Sequence, residues 1–227
     1  MNYQIIVLVF LQVLIQNVTT CSQEKINSIY GLNPLLYNGQ VYSYTLPASV
    51  QGNQYLSNNE FISGSVTIHD KTFHDLLLNY DIYNQEIILK FESDYKTSRI
   101  KLNKEKINSF SLGPKNFKLI KDKEHNSFQI YQLFGQGKYV ALYYWKKTLD
   151  LIDKSGNTYW SFSRPQKTMY LQIKNQKYKF KNKRNLLSHF EKSQKNKIKN
   201  YLKENNINIK RISDIQLIQL INFCNNL

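Results

Sequence analysis

Cysteine, glycine and proline are all scarce in this sequence, and each scarcity excludes a class of protein. Two cysteines, Cys21 and Cys224, are too few for a disulfide-rich scaffold. No internal disulfide forms if the segment up to Ser22 is removed. Eight glycines and four prolines exclude a collagen-like or proline-rich disordered chain. Cys224 is interpreted as a small apolar residue on a helix rather than as a nucleophile.

Acidic residues are scarce as well, with 16 Asp and Glu against 31 Lys and Arg, and the formal net charge is +15. The excess is concentrated near the C-terminus. Between Arg164 and Arg211, fifteen Lys or Arg face two Glu, so this segment alone carries +13. A basic face attracts anionic partners over long distances. The alternative is an ordinary solvated surface in a chain rich in Lys, Asn, Ile and Tyr.

No apolar run reaches the roughly 20 residues that a membrane-spanning helix needs. The run Ile5–Leu11 matches instead the apolar core of a secretory signal peptide, with cleavage between Ser22 and Gln23. We therefore predict a signal peptide over residues 1–22, export, and no transmembrane helix in the mature chain. Two alternatives stay open, namely a lipoprotein with its lipid on Cys21 and a leader that is buried in the fold.

Sequence motifs for catalysis and for cofactor binding are absent. The chain contains no G-x-S-x-G elbow, no C-x-x-C pair, no H-E-x-x-H helix and no glycine-rich phosphate loop. We therefore expect no cofactor and no catalytic residue of these classes.

Four residues are candidates for a dispersed site: His69, His74, Asp75 and Asp81. His69, His74 and Asp75 offer ligand types that zinc accepts, but the spacing supplies no further ligand. Asp75 and Asp81 would suit a hydrolase if they shared a cleft. Exposed hairpin histidines and an Asp81 that supports a turn are the simpler interpretation. An envelope hydrolase with dispersed site residues remains the alternative from the enzyme class.

What the sequence does contain is a strong β pattern, since its 17 Tyr and 12 Phe suit half-buried strands. The stretch Phe61–Phe91 predicts three adjacent strands. Val66 and Ile68 alternate with polar residues, Phe73–Tyr80 forms a second apolar run, and a third strand follows the break at residues 83–85. Alternate apolar residues of the third strand share one face: Ile87, Leu89 and Phe91.

Further short strands, separated by polar turns, extend over most of the chain. They are predicted at Val41–Leu46, Arg99–Leu102, Ile107–Leu112, Phe117–Ile120, Ser127–Phe134, Lys138–Trp145, Tyr159–Phe162, Met169–Ile173 and Tyr178–Phe180. The spacing predicts a mainly β protein: an antiparallel β-meander, barrel-like or sandwich, with two or three short C-terminal α-helices.

Helical periodicity is confined to the C-terminal end. Asn185 is predicted to cap a short turn, Ser193–Asn205 has the spacing of an amphipathic helix, and Ser213–Gln216 matches a capping box. Apolar residues after that box share one helix face: Leu217, Leu220, Ile221 and Cys224. The predicted organisation is a signal peptide (1–22), an extension with a first strand (23–59), an antiparallel β domain (60–183) and a basic helical segment packed on the sheet (184–227).

A resemblance rests on the first three strands and on the C-terminal segment. The residues that carry it are Phe61, Gly64, Val66, Phe73, Leu76–Leu78, Tyr80, Asp81, Tyr83 and the ending L-L-S-H-F followed by I-K-N-Y-L-K-E-N-N-I-N-I-K. In these features the chain resembles uncharacterised exported β-rich proteins of Bacteroidota such as flavobacteria. The resemblance implies export and a cell-envelope location, and it supplies no activity and no site residues.

The basic segment is the predicted binding surface, because cations alternate there with aromatic residues. Its candidate anion-binding residues are Lys174, Lys177, Lys179, Lys181, Lys183, Arg184, Lys195, Lys199 and Lys203. Such interleaving is also typical of proteins that hold single-stranded nucleic acid, but an exported protein seldom meets nucleic acid. We therefore expect an envelope protein partner, or an anionic lipid or glycan, for a non-enzymatic protein that is periplasmic or associated with the outer membrane.

Overall fold

The fold was analysed in a computed structural model, which describes residues 33–37, 39–47, 49–93, 96–122 and 126–227. The predicted signal peptide, Cys21 and the predicted cleavage position lie outside these residues. Within the described ranges, no helix combines the length and the apolarity needed to cross a bilayer.

The N-terminal half of the described chain contains eight strands, one short helix and one 3₁₀ turn. Its elements are α1 (Pro34–Tyr37), β1 (Gln40–Val41), β2 (Val50–Gln51), β3 (Ile62–Ile68), β4 (Lys71–Asp81), β5 (Glu86–Ser93), β6 (Lys96–Lys101), a 3₁₀ turn (Lys104–Lys106), β7 (Ile107–Leu112) and β8 (Lys115–Asp122).

The second half adds six strands and then the helices. Its elements are β9 (Ser127–Phe134), β10 (Tyr139–Lys146), β11 (Leu149–Lys154), β12 (Asn157–Phe162), β13 (Gln166–Ile173), β14 (Gln176–Phe180), α2 (Lys183–Leu187), α3 (Lys192–Glu204), a 3₁₀ turn (Ile209–Arg211) and α4 (Asp214–Asn225).

Within the described residues, eleven strands form one sheet in the order β1-β6-β5-β4-β3-β7-β8-β9-β10-β13-β14, and every neighbouring pair in it is antiparallel. The hairpin β11–β12 leaves this sheet and pairs with β2, in parallel, to form a small second sheet. The predicted fold class, mainly β and antiparallel with short C-terminal helices, is confirmed. The large sheet runs from β1 to β14 and is not a closed barrel.

The three strands predicted in Phe61–Phe91 are present as β3, β4 and β5, and they pair as consecutive hairpins. Val66 and Ile68 are buried, which confirms the inward face assigned to β3. The sheet curls strongly at this point. The ring of Tyr80 on β4 lies 5.6 Å from the ring of Phe117 on β8, although three strand spacings in a flat sheet amount to about 14 Å.

The curl divides the buried residues into two cores. One lies inside the curved part of the sheet from β3 to β9. The other lies between β9, β10, β13 and β14 and the C-terminal helices. Trp145 on β10 packs against both cores.

Two strand predictions were incomplete. Val41–Leu46 was predicted as one strand, but β1 ends at Val41, whose side chain is 78% exposed. The next residue, Tyr42, still donates its backbone N–H to the Arg99 oxygen at 2.8 Å, and its hydroxyl donates to the Asp81 carboxylate at 2.6 Å. The strand β11 was not predicted at all, because its polar residues and the exposed Leu151 carry no clear alternation.

The helices begin at local caps. The predicted capping box is confirmed, since the Gln216 N–H donates to Ser213 Oγ and the Ser213 N–H donates to Gln216 Oε1, both at 3.2 Å. The predicted Asn185 cap was wrong by three residues. Asn182 caps α2, and its Oδ1 accepts from the Asn185 N–H at 2.9 Å.

Candidate functional site

Asp81 is fully buried at the end of β4 and holds the turn that follows it. Its Oδ1 accepts the backbone N–H groups of Tyr83 and Asn84 at 3.0 and 2.8 Å. Its Oδ2 accepts the Tyr42 hydroxyl at 2.6 Å and the Asn84 amide at 2.8 Å. The carboxylate is therefore occupied by four donors, which confirms that Asp81 supports a turn.

Lys147 stands near this carboxylate and ties the base of the β11–β12 hairpin to the loop before β3. Its Nζ donates to the backbone oxygen of Asn53 at 2.7 Å. Burial lowers the pKa of Lys147, and the attraction of Asp81 opposes that shift. The pair of charges is thus part of the structural network around the turn.

The other three residues of the dispersed site lie apart from Asp81. His69 and His74 are exposed, and Asp75 is exposed in a bulge of β4 where its φ is +56°. Asp81 lies six residue steps along β4 from Asp75, or about 20 Å, whereas paired hydrolase carboxylates stand about 5 to 10 Å apart. Among the described residues, no group of three or more His, Cys, Asp or Glu is arranged to hold a metal ion.

The predicted anion-binding residues occupy two neighbouring parts of the fold. Lys174 lies in the β13–β14 turn, while Lys177 and Lys179 lie on the edge strand β14. Lys183 and Arg184 open α2. Cationic side chains on an edge strand also discourage pairing with a second sheet, so this half of the surface has a structural explanation.

The α3 part of the surface is a stripe. Lys195, Lys199 and Lys203 follow one another at intervals of four residues, beside the buried Ile198 and Leu202. Such spacing places them on one flank of the helix. In the described part of the chain, ion pairs involve Glu86 with Lys101 and Lys104, and none of the nine candidate cations has a carboxylate within 4.0 Å.

Lys177 differs from its neighbours because it is half-buried and contacts Tyr131. Its Nζ donates to the Tyr131 hydroxyl at 2.9 Å and lies 4.4 Å from the centre of that ring. The Tyr131 hydroxyl donates in turn to Gln129, whose amide donates to Asp122. Burial lowers the pKa of Lys177, with an opposing contribution from Asp122. Lys177 therefore orders the outer face of the sheet, which weakens its assignment as a freely binding cation.

A different feature stands out on β9, where the large sheet forks. The N-terminal part of β9 pairs with β8, and this register ends with Phe117 opposite Gln132. The C-terminal part pairs with β10, and that register begins with Tyr143 opposite Gln132. Gln132 is thus the residue at which β9 changes partner, and the backbones of β8 and β9 diverge beyond it.

An open cleft of about 810 Å³ fills the divergence. It is bounded by the start of β8, the end of β9 and the first half of α4. Its lining residues are Pro114, Lys115, Asn116, Gln132, Leu133, Phe134, Gly135, Gln136, Asp214, Ile215, Ile218 and Asn222. Ile215 is 70% exposed and Ile218 is 40% exposed, so α4 presents two aliphatic side chains to solvent at the cleft.

The inner end of the cleft carries a polar pair. The buried Gln132 accepts the Trp145 Nε1–H at 2.8 Å, and its amide nitrogen lies 3.5 Å from the Asp214 carboxylate. Behind them, the Lys167 ammonium lies 4.0 Å from the centre of the Tyr143 ring. Burial lowers the pKa of Lys167, and the attraction of Asp214 opposes that shift. Burial raises the pKa of Tyr143, and the charge of Asp214 raises it further.

The α4 wall of the cleft is held firmly against the sheet. The Asn225 side chain accepts the Tyr139 N–H at 2.8 Å and donates to the backbone oxygens of Gln136 and Tyr139, each at 2.8 Å. Cys224 beside it is buried, and burial raises the pKa of its thiol to about 12. This burial confirms Cys224 as a packed apolar residue.

Replacing Tyr143 with Phe is expected to raise the free energy of unfolding by about 1 kcal/mol. The Tyr143 hydroxyl is buried, and no group of the described residues lies within hydrogen-bond distance of it, so its removal relieves a desolvation cost. Tyr80→Phe is the matched control, since the buried Tyr80 hydroxyl donates to Gln85 at 2.7 Å. Urea denaturation should show opposite signs for the two variants, and a loss of stability in both would contradict the prediction.

Comparison with known protein families, with curated proteins and with solved structures finds no match to this chain. The site therefore rests on the geometry of its own residues. The cleft was missed from the sequence, although one signal was present. Ile215 and Ile218 fall outside the buried face of α4 that Leu217 and Leu220 define, so the sequence already placed two aliphatic residues on the solvent side of this helix.

Proposed function

We propose that this protein is an exported, non-catalytic binding protein of the cell envelope and that its protein partner docks in the cleft between β8, β9 and α4. Export is supported by the apolar leader at residues 1–22, and the absence of nucleophile and cofactor motifs supports a non-catalytic role. The observation that carries the docking site is the exposure of Ile215 and Ile218 beside diverging strands. Exposed apolar side chains around a concave surface favour association, because contact removes them from water.

Site-specific photocrosslinking tests this proposal in the producing cell. A photoreactive amino acid replaces Ile215 in one strain and Leu151 in another, since both are exposed aliphatic residues, at 70% and 56%. We expect a defined protein adduct from position 215 and none from position 151. Adding Ile218→Glu to the first strain should remove the adduct, because a carboxylate in the cleft disfavours an apolar contact. Adduct formation from position 151 alone, or from neither position, would rule out the cleft as the docking site.

A second candidate function is the binding of anionic lipid or glycan through the nine cations predicted from the sequence. The observation that favours it is the α3 stripe of Lys195, Lys199 and Lys203, none of which has a carboxylate of the described residues within 4.0 Å. Each Lys near a membrane surface contributes about 1 kcal/mol of attraction to anionic lipid. Such attraction weakens as salt is added.

Vesicles that contain phosphatidylglycerol provide the test of the second candidate. Changing Lys195, Lys199 and Lys203 together to Gln is expected to weaken vesicle binding at least about tenfold at low salt. The matched control changes three exposed lysines elsewhere, Lys71, Lys118 and Lys121, to Gln, which alters the net charge equally. Equal losses in the two variants would assign binding to overall charge rather than to the α3 stripe.

A further inference from the structure

We propose that the ligand of the cleft is an extended segment of an acidic partner protein, which inserts between β8 and β9 as an additional strand. This inference rests on the proposed docking function and names the binding mode and the chemistry of the segment. It follows from the backbone of the fork, from the side chains on α4 and from the charge of the chain.

At the fork, the facing residues of β8 and β9 are not paired with each other. In the part of the chain that the structure describes, β8 pairs with β9 from Phe117 onward, so Lys115 and Asn116 have no partner on β9. Leu133 and Phe134 likewise have no partner on β8 and are paired with β10 on their other side. Alternate residues of an antiparallel strand direct their N–H and C=O groups to opposite sides. Each wall of the cleft therefore directs the N–H and C=O of one of its two residues into the cleft, and an extended peptide can pair with one residue on each of its edges.

The side chains of the cleft select the sequence of such a segment. An inserted strand turns every second side chain toward α4, where Ile215 and Ile218 are exposed. Those positions of the segment are therefore apolar. The intervening side chains point away from α4 and carry no such requirement.

Charge selects the partner. The chain carries a formal net charge of +15, of which +13 lies in residues 164–211 and none of those residues lines the cleft, so the net charge attracts an acidic segment over long range. Among the described lining residues the charges balance, with Lys115 at the start of β8 and Asp214 next to the Gln132 amide at the inner end. An acidic segment is attracted by the field of the protein and places its own carboxylates toward Lys115, while Asp214 accepts a hydrogen bond from an N–H or O–H of the segment.

The cleft needs little rearrangement to receive a strand. Asn225 fixes α4 to the loop after β9 through three hydrogen bonds, so the apolar wall is already in place. A site that is formed before binding loses less ordering entropy on association. The strand insertion therefore adds main-chain hydrogen bonds without first opening the sheet.

The test uses short capped peptides and the full mature protein, with binding followed by NMR titration and amide hydrogen exchange. The first peptide alternates valine with threonine and carries glutamate at both ends. A second has the same composition in scrambled order. A third has the first sequence with alternate backbone nitrogens methylated, which leaves the side chains in place and removes the main-chain donors of one edge. A fourth replaces the terminal glutamates with lysines.

We expect the alternating acidic peptide to bind about tenfold more tightly than the scrambled and the methylated peptides, and more tightly than the lysine-ended peptide. Its binding should slow exchange of amides in residues 115–116 and 133–135. Ile218→Glu should weaken its binding about tenfold, whereas Leu151→Glu, a matched change at another exposed site, should not.

Equal binding of the methylated peptide, or no binding of the alternating peptide, overturns strand insertion. Neither result removes the docking function, because a crosslinked partner at position 215 would then bind through side chains or as another secondary structure. Loss of the crosslink together with normal peptide binding would instead remove the protein partner and leave the strand-accepting cleft.

Discussion

Replacing Asp81 with Asn is expected to lower the free energy of unfolding by about 3 kcal/mol. The Asp81 carboxylate is fully buried and accepts four hydrogen bonds, two from backbone N–H groups and two from side chains. An amide in its place puts an NH₂ group against one pair of donors and removes the charge that strengthens all four bonds. The turn at residues 82–85 then loses its central acceptor.

The effect should spread beyond the turn itself. Gln85 in this turn donates to the backbone oxygen of Trp145 at 2.8 Å, and Trp145 packs against both cores. Weakening the turn therefore loosens the contact between the curled part of the sheet and the part that carries the helices.

Asp75→Asn is the matched control, because it makes the same chemical change on the same strand at an exposed position. Surface substitutions of this kind usually alter stability by about 0.5 kcal/mol or less. Urea denaturation at constant pH measures both variants. Similar stability of the two variants would show that the Asp81 network contributes little to the fold.

Replacing Gly64 with Ala is expected to lower the free energy of unfolding by about 3 kcal/mol. Gly64 lies on β3 between β4 and β7, where the sheet curls. A Cβ atom at this position would lie 2.1 Å from the backbone oxygen of Ser111 and 3.2 Å from Leu78 Cδ1. Since the first contact is with backbone, β3 and β7 would have to separate to relieve it.

Gly156→Ala separates this steric effect from the general cost of replacing glycine. Gly156 has a φ of +80° in the β11–β12 turn, and a Cβ atom there meets nothing within 4 Å. Its substitution is expected to cost about 1 kcal/mol from backbone strain alone. If both variants lose the same stability in urea denaturation, close approach of β3 and β7 is not what requires glycine at position 64.

The candidate sites show where inference from residues succeeds. Asp81 was predicted to support a turn after Tyr80, and four hydrogen bonds confirm that role. The candidate cations of the basic segment were identified from its excess of Lys and Arg, and the structure changes the interpretation of one of them, Lys177. Lys177 bonds to Tyr131 across the strands β9, β10, β13 and β14, a contact between residues 46 positions apart that no local pattern indicates.

The cleft shows where such inference ends. β9 is rich in apolar and aromatic residues and was predicted as one strand, which it is. The alternation of side chains is independent of which neighbouring strand receives the backbone hydrogen bonds. A strand that exchanges one partner for another at Gln132 therefore has the same sequence pattern as a strand that keeps both.

The sequence by itself determined the strands β3 to β5, the amphipathic face of α4 and the capping box at Ser213, because each depends on side-chain period or on hydrogen bonds between residues close along the chain. Tertiary structure alone decided the curl that brings Tyr80 to Phe117, the burial of Asp81 and the fork at Gln132. These depend on contacts between segments that are distant in sequence. Their free energy comes from close packing and backbone pairing in three dimensions, which local patterns do not encode.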